Sequence, residues 1–153
     1  MTEPPAANRP KLLLHVCCGP CSTEVIERLA RDHELVLYFF NPNIFPKEEF
    51  DRRLAEAERY ARDLGIAFIP ATYDHEGWLA AVKGLEGEPE GGRRCAACFD
   101  LRLGAAARKA REEAAGLFTT TLTISPHKNA EAVNAAGERA AEAWDGRFLA
   151  ADF

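Results

Sequence analysis

Short apolar runs alternate with longer stretches of helical periodicity along most of this chain. Near-continuous apolar runs, typical of strands buried on both faces, predict strands at 11–16 (KLLLHV), 34–40, 66–71, 117–122 and 147–150. Apolar residues at helical spacing predict helices at 22–31, 46–64, 94–115 and 125–143, with a shorter helix capped by Asp74 and running through Lys83. This alternation predicts a single α/β domain with a parallel sheet and flanking helices, Rossmann-like or similar to folds of the pyrophosphatase-loop type.

Polar motifs follow each of the first four predicted strands. They read CCGPC, NPN, TYD and TISPHK in chain order. In a parallel sheet the carboxyl ends of the strands share one edge, and ligands bind there, near the point where the strand order reverses. The sequence therefore predicts a functional site at this edge.

The length and composition favour one folded domain. The chain has 153 residues, enough for one hydrophobic core, and 47% of them are hydrophobic. We expect residues 1–10 to form a flexible tail and residues 11–153 to form the domain. No apolar run approaches the roughly 20 residues that span a bilayer, and the opening segment lacks the apolar stretch of a signal peptide, so we predict a cytoplasmic protein without membrane association.

The charge balance limits the partners that the chain is expected to bind. The formal net charge is −5, which argues against a generic nucleic-acid coat protein. Basic residues nevertheless concentrate near the second cysteine pair, at Arg93, Arg94, Arg102, Arg108, Lys109 and Arg111. The net charge therefore does not exclude a local basic patch around the second cysteine pair.

The cysteines carry the clearest chemical signal. Cys17, Cys18 and Cys21 follow the first strand, and Cys95 and Cys98 lie at the start of a predicted helix. In a reducing cytosol such spacing is more typical of metal ligands or redox groups than of disulfides. The residues alone leave open a zinc site, an iron–sulfur cluster, thiol–disulfide exchange through the Cys-Gly-Pro-Cys tetrapeptide at 18–21, and buried inert thiols.

Several motifs together resemble a known family. The segments LLLHVCCGPCS, NPNIFPKEEFDRR, YDHEGW, EPEGGRRCAACFDLRL and TTTLTISPHKN occur in the order and spacing of the QueH epoxyqueuosine reductases, which are cobalamin-independent. The resemblance runs from about residue 11 to residue 153. It implies an oxidoreductase of queuosine biosynthesis that reduces epoxyqueuosine to queuosine at the wobble position of tRNA, using an unidentified electron donor.

The resemblance also implies a metal-binding catalytic domain with a ligand set. Cys17, Cys18, Cys95 and Cys98 would hold a [4Fe–4S] cluster. Cys21 stands where the family can place a carboxylate, which would suit a ligand to an additional iron ion, and we predict that Cys21 is catalytic. Members of this family normally continue with a basic segment and a tyrosine-cysteine-glycine-cysteine stretch that this sequence does not contain. We expect further cysteine ligands and tRNA-contacting lysines to belong to that segment. A non-catalytic, zinc- or cluster-stabilised RNA-binding module is the alternative from a different class.

Other polar residues at the predicted edge are candidates with simpler alternatives. Asp74 is a predicted catalytic residue near the metal, or only a helix cap. Substrate contacts are predicted for Asn41, Asn43, Arg94 and Lys128. The two asparagines also suit an ordinary turn, Arg94 can balance thiolate or phosphate charge, and Lys128 follows a predicted helix start that favours anions.

Three more residues near the strand ends have expected roles. Arg102 is expected to balance thiolate or phosphate charge or to pair with Asp100. Trp78 is expected to pack on the core or to stack on a base. His15 is expected to be structural.

Overall fold

Four strands and five α-helices make up the part of the chain that the structure, a computed structural model, describes. That part comprises residues 9–17, 22–89, 92–124 and 130–150. The strands are β1 (Lys11–His15), β2 (Glu34–Phe39), β3 (Ala67–Pro70) and β4 (Leu117–Thr120). The helices are α1 (Thr23–Ala30), α2 (Lys47–Leu64), α3 (His75–Ala81), α4 (Arg93–Glu112) and α5 (Ala130–Ala143), with a 3-10 turn at Leu122–Ile124.

The four strands form one parallel sheet with the order β3-β2-β1-β4. β1 is central, so Leu13 pairs with Val36 of β2 on one side and with Phe118 of β4 on the other. The chain builds outward from β1 to β3 and then crosses back to place β4 on the opposite side of β1. The strand order therefore reverses between β1 and β4, which is where ligands bind in such sheets. The predicted α/β fold with a parallel sheet is confirmed.

The sheet separates two hydrophobic clusters. Leu12 and Leu14 pack with residues of α1 and α2, whereas Leu13 and Phe118 pack with residues of α4 and α5. All three leucines of β1 are fully buried, as the run KLLLHV predicts for a strand covered on both faces. Burial from both sides holds the carboxyl end of β1 in a fixed position.

Several predicted boundaries agree with the structure and one predicted strand differs. Asp74 caps α3, and α2 ends at Gly65 in the left-handed conformation, with φ 69°. The predicted fifth strand at 147–150 is only an isolated bridge between Phe118 and Phe148. The Phe148 ring lies flat on α5, where a Cβ added at Gly137 would be 2.4 Å from Cζ. Two backbone hydrogen bonds with Phe118, one from the Leu149 N–H and one to the Arg147 carbonyl, and this side-chain packing therefore hold the segment without a full sheet ladder. The predicted start of α5 at 125–126 lies outside the described residues.

The segment before β1 is tied to the domain at its end. The Arg9 guanidinium donates to the Ala30 carbonyl, and the Pro10 carbonyl accepts from the Glu34 backbone N–H at 2.9 Å. The rest of the predicted tail, residues 1–8, lies outside the described part. Among the helices that the structure describes, none is long and apolar enough to cross a membrane.

Candidate functional site

Cys17 lies at the reversal of strand order. It follows β1 by two residues, is half-buried, and its Sγ is 3.7 Å from Oγ1 of Thr121, which directly follows β4. The Thr121 backbone N–H in turn donates to the His15 carbonyl at 3.0 Å, so the two strand ends stay joined beyond the sheet. The first cysteine thus occupies the crevice that the topology opens.

Cys95 and Cys98 lie in the first two turns of α4. The helix begins at Arg93, so these thiols are near the end where backbone N–H groups stabilise negative charge on sulfur. Cys95 is half-buried and Cys98 is buried, with only 8% of its surface exposed. Both line an open cavity of about 330 Å³ together with Asn43, Trp78, Arg94, Phe99 and Arg102. Cys17 and Cys95 pack against the same hydrophobic cluster, which places both thiols on the α4 side of the sheet.

The sulfur of Cys98 receives two N–H groups. The indole Nε1 of Trp78 donates to Sγ at 3.2 Å, and the Arg102 guanidinium approaches the same Sγ at 3.9 Å. Arg102 also donates to Oδ1 of Asn41 at 2.7 Å, and Nδ2 of Asn41 donates to the Val16 carbonyl at 3.0 Å. This chain of contacts connects α3, α4 and the end of β1 through Cys98.

Arg102 is a buried positive charge that has no carboxylate partner in the part of the chain that the structure describes. Only 2% of the residue is exposed, its Nε has no hydrogen-bond partner, and no ion pair to a carboxylate forms within the described residues. The expected alternative, a pair with Asp100, is wrong because Asp100 binds Arg139 at 2.8 Å. A buried charge is costly unless an opposite charge compensates it. The structure therefore favours negative charge in the adjoining cavity, as ionised cysteines would supply.

The other basic residues near Cys95 do not form a single patch. Arg93 pairs with Glu88, and both Arg108 and Lys109 pair with Glu112. Arg102 lies on the buried face of α4. The sequence did not exclude a local basic patch, but Arg93, Arg108 and Lys109 form ion pairs with glutamates among the described residues.

His15 fixes the turn that follows β4. Its Nε2 donates to the Phe40 carbonyl and its Nδ1 accepts from Oγ1 of Thr120, both at 2.9 Å. Complete burial, together with the charge of Arg102, lowers the pKa of His15 to about 3, so the ring is neutral. Thr120 Oγ1 also accepts from the Leu122 backbone N–H. The structural role expected for His15 is confirmed.

The described residues partly fit a thiolate-held metal. No group of three His, Cys, Asp or Glu side chains encloses a metal position within the described ranges, and Cys18 and Cys21 lie outside them. The three described thiols and the orphaned buried cation have the chemistry that an anionic cluster of iron and thiolates requires. The chemistry of these residues is therefore compatible with such a group, and the ligand roles of Cys17, Cys95 and Cys98 stay predictions.

The remaining predicted site residues fall into three groups. Asn43 and Arg94 line the cavity, and the buried Oδ1 of Asn43 has no hydrogen-bond partner among the residues that the structure describes. Asn41 and Asp74 already have protein partners: both polar atoms of Asn41 are hydrogen-bonded, and Oδ1 of Asp74 accepts from Gly77 N at 2.9 Å. Lys128 lies outside the described residues. The roles assigned to these residues stay predictions.

Sequence reasoning missed two contributions to the site. Trp78 and Cys98 are 20 residues apart in the sequence, and no local sequence motif predicts their contact. The hydroxyl run Thr119, Thr120 and Thr121 was a visible signal, since three threonines at a strand end are all buried here. Buried hydroxyls require partners, and two of these hold the edge at which Cys17 lies.

Comparison with known proteins gives a consistent assignment. A family profile described as "Epoxyqueuosine reductase QueH" matches residues 12–153. The chain is 48% identical over 136 residues to the epoxyqueuosine reductase QueH of Haemophilus influenzae, covering 88% of this chain and 56% of that protein. It is 40% identical over 154 residues to the protein of the same name from Staphylococcus epidermidis, covering 95% of this chain and 65% of that protein.

A solved structure shares the fold. It is described as a predicted subunit of tRNA methyltransferase from Methanocaldococcus jannaschii, with a TM-score of 0.56 and 13% identity over 93% of this chain and 68% of that one. The chain spans 56% and 59% of the length of the QueH proteins of Haemophilus influenzae and Streptococcus pyogenes. The profile nevertheless covers nearly all of this sequence, and the chain belongs to the epoxyqueuosine reductase QueH family.

Proposed function

We propose that this chain carries the metal-binding, reductive part of a cytoplasmic epoxyqueuosine reductase. The observation that carries the proposal is the environment of Cys98, a buried thiol facing an indole N–H and an uncompensated guanidinium at the ligand edge of the sheet. Family membership supports epoxyqueuosine as the substrate class, and we place that substrate at the wobble position of tRNA as part of the proposal. The overall reaction takes two electrons and two protons and releases the epoxide oxygen as water. The electrons come from a donor that is still to be identified.

The cysteines divide between two metal-holding roles in this proposal. Cys17, Cys18, Cys95 and Cys98 would hold a [4Fe–4S] cluster, and Cys21 would serve an adjacent iron ion. When bound, these groups supply single electrons and a Lewis acid. The four-thiol ligand set is the usual one for such clusters.

The surrounding side chains have roles that follow from their contacts. Arg102 balances the negative charge of the thiolates, and Trp78 fixes the orientation of the Cys98 side chain. Asn43 offers a buried, free carbonyl oxygen toward the cavity and is suited to accept a hydrogen bond from a hydroxyl or amine of the substrate. Arg94 lines the same cavity, where it can bind phosphate. Lys128 is proposed as a second anion contact.

Anaerobic reconstitution with iron and sulfide, followed by an assay on tRNA bearing epoxyqueuosine, tests this function. We expect a brown protein whose visible absorption is bleached by dithionite and which converts epoxyqueuosine to queuosine. A colourless protein with one zinc per chain and no conversion would instead indicate the RNA-binding module. Working without oxygen matters, because oxygen destroys exposed clusters.

Substitution of Asp74 separates its two predicted roles. Asp74→Ala is expected to lower the free energy of unfolding by about 1 kcal/mol because the Gly77 N–H loses its cap. Asp74→Asn retains an oxygen at the cap position, so its unfolding midpoint should match that of the parent protein. If the carboxylate is catalytic, the asparagine variant loses epoxyqueuosine reduction despite its normal stability. Equal activity in the two proteins would restrict Asp74 to capping.

A further inference from the structure

Phe45 is the most exposed large hydrophobic side chain among the described residues, with 72% of its surface accessible. Single exposed apolar side chains are common on proteins. This ring is unusual because it is the outer member of an aromatic column that leads to a cysteine. We propose that the free face of Phe45 stacks on an unpaired nucleobase of the RNA substrate. The inference rests on the proposed function and adds a recognition mode to it.

The column consists of Phe45, His75 and Trp78. The centroids of Phe45 and His75 are 5.2 Å apart with the planes inclined by 26°, and those of His75 and Trp78 are 5.4 Å apart at 19°. These separations are those of offset-stacked rings. Trp78 then donates to Cys98 at 3.2 Å. A base placed on Phe45 would therefore extend a group of near-parallel rings in which Trp78 contacts a predicted ligand of the metal.

The backbone around the column is held in place before any ligand binds. Nδ1 of His75 donates to the Pro42 carbonyl at 2.7 Å, and the Tyr73 hydroxyl donates to the Ile44 carbonyl at 2.6 Å. Tyr73 also stacks on His75, with the ring centroids 5.9 Å apart. The residues on both sides of the column thus fix the loop that presents Phe45. A preorganised ring loses little freedom when a ligand stacks on it.

The proposed tRNA substrate favours a base over other occupants, because an anticodon loop presents unpaired bases. The net charge of −5 gives the chain little general attraction to phosphates, whereas stacking on an aromatic ring does not depend on that charge. Stacking on aromatic rings is the usual way in which proteins hold unpaired bases. A protein partner would need a broad apolar patch, whereas the residues after Phe45 on the surface are the charged Lys47, Glu48 and Glu49.

Binding of an anticodon stem-loop RNA with an unmodified wobble guanosine tests this inference without requiring catalysis. Fluorescence anisotropy would give the Kd for the full chain and for Phe45→Leu and Phe45→Trp variants. We expect the leucine variant to bind about 5- to 100-fold more weakly, the range typical of losing one base stack. The tryptophan variant should bind at least as tightly as the parent protein. Trp144→Leu is the matched control, because Trp144 is exposed but packs beside Arg108 at the far end of α5.

The possible outcomes separate this inference from the proposed function. Unchanged RNA binding in the leucine variant, with normal epoxyqueuosine reduction, would overturn the stacking role and leave the proposed function intact. Equal weakening by Trp144→Leu would also overturn it. A leucine variant that binds RNA normally and is slow only with a ferredoxin reducing system would assign the ring to an electron donor. A parent protein that neither binds the RNA nor reduces epoxyqueuosine would remove both proposals.

Discussion

Replacing Cys98 with alanine is expected to abolish cluster retention and to reduce epoxyqueuosine reduction by at least about 100-fold. Cys98 is buried, lies near the start of α4 and receives N–H groups from Trp78 and Arg102. Its removal leaves those two donors without their acceptor and takes one ligand from the proposed set. Iron and sulfide content after anaerobic reconstitution, measured beside activity, checks the prediction.

A neighbouring substitution provides the control. Ala96→Ser changes an exposed position of the same helix and removes no thiol, so its metal content and activity should equal those of the parent protein. Thermal unfolding of the unloaded proteins shows whether either change disturbs the fold. A Cys98→Ala protein with full iron, full sulfide and normal turnover would exclude Cys98 as a ligand.

Replacing Arg102 with methionine is expected to weaken cluster retention by about 10- to 100-fold while leaving the unloaded protein almost as stable as the parent. In the unloaded protein the lost hydrogen bond to Asn41 and the removal of an uncompensated buried charge oppose each other, so the free energy of unfolding should change by about 1 kcal/mol or less. When the metal group is bound to the thiolates, Arg102→Met removes the positive charge that balances them, and retention of the group falls.

Arg102→Lys distinguishes charge from geometry. Lysine keeps the positive charge but lacks the planar fork that reaches Asn41 and Cys98 together, so we expect an intermediate retention of metal. Titrating the reconstituted proteins with a chelator gives the comparison. If the methionine variant unfolds as readily as a core mutant and holds its metal normally, Arg102 serves the fold and not the metal.

The sequence predicted the fold well because its signals were local. The run KLLLHV, the cap at Asp74 and the stop at Gly65 each depend on a few neighbouring residues, and each matches the structure. The segment at 147–150 failed because strand formation there depends on a partner. The Phe148 ring packs against Gly137 of α5, and the segment forms only one bridge to β4.

The sequence predicted the sheet edge at which the candidate site lies, but it did not predict the side-chain contacts within the site. Parallel strands bring their carboxyl ends together, so Cys17 and the polar motif after β4 could be placed near each other from topology alone. The partners of Arg102 could not, because Asn41 is 61 residues away and Asp100 stood nearer in the chain. Asp100 faces α5 and forms an ion pair with Arg139. The buried Arg102 guanidinium therefore contacts Asn41 and Cys98 and not Asp100.

The pairing of β1 with β4 has a consequence for how the protein matures during biosynthesis. Cys17 and its neighbour Thr121 are 104 residues apart in the sequence. β1 is therefore synthesised long before β4, the strand that pairs with it. The crevice in which Cys17 lies is therefore complete only after β4 has paired with β1, which is a late event in a fold built from such distant contacts. In the proposed function, Cys17 would therefore take its place in a metal site only once β4 has paired with β1.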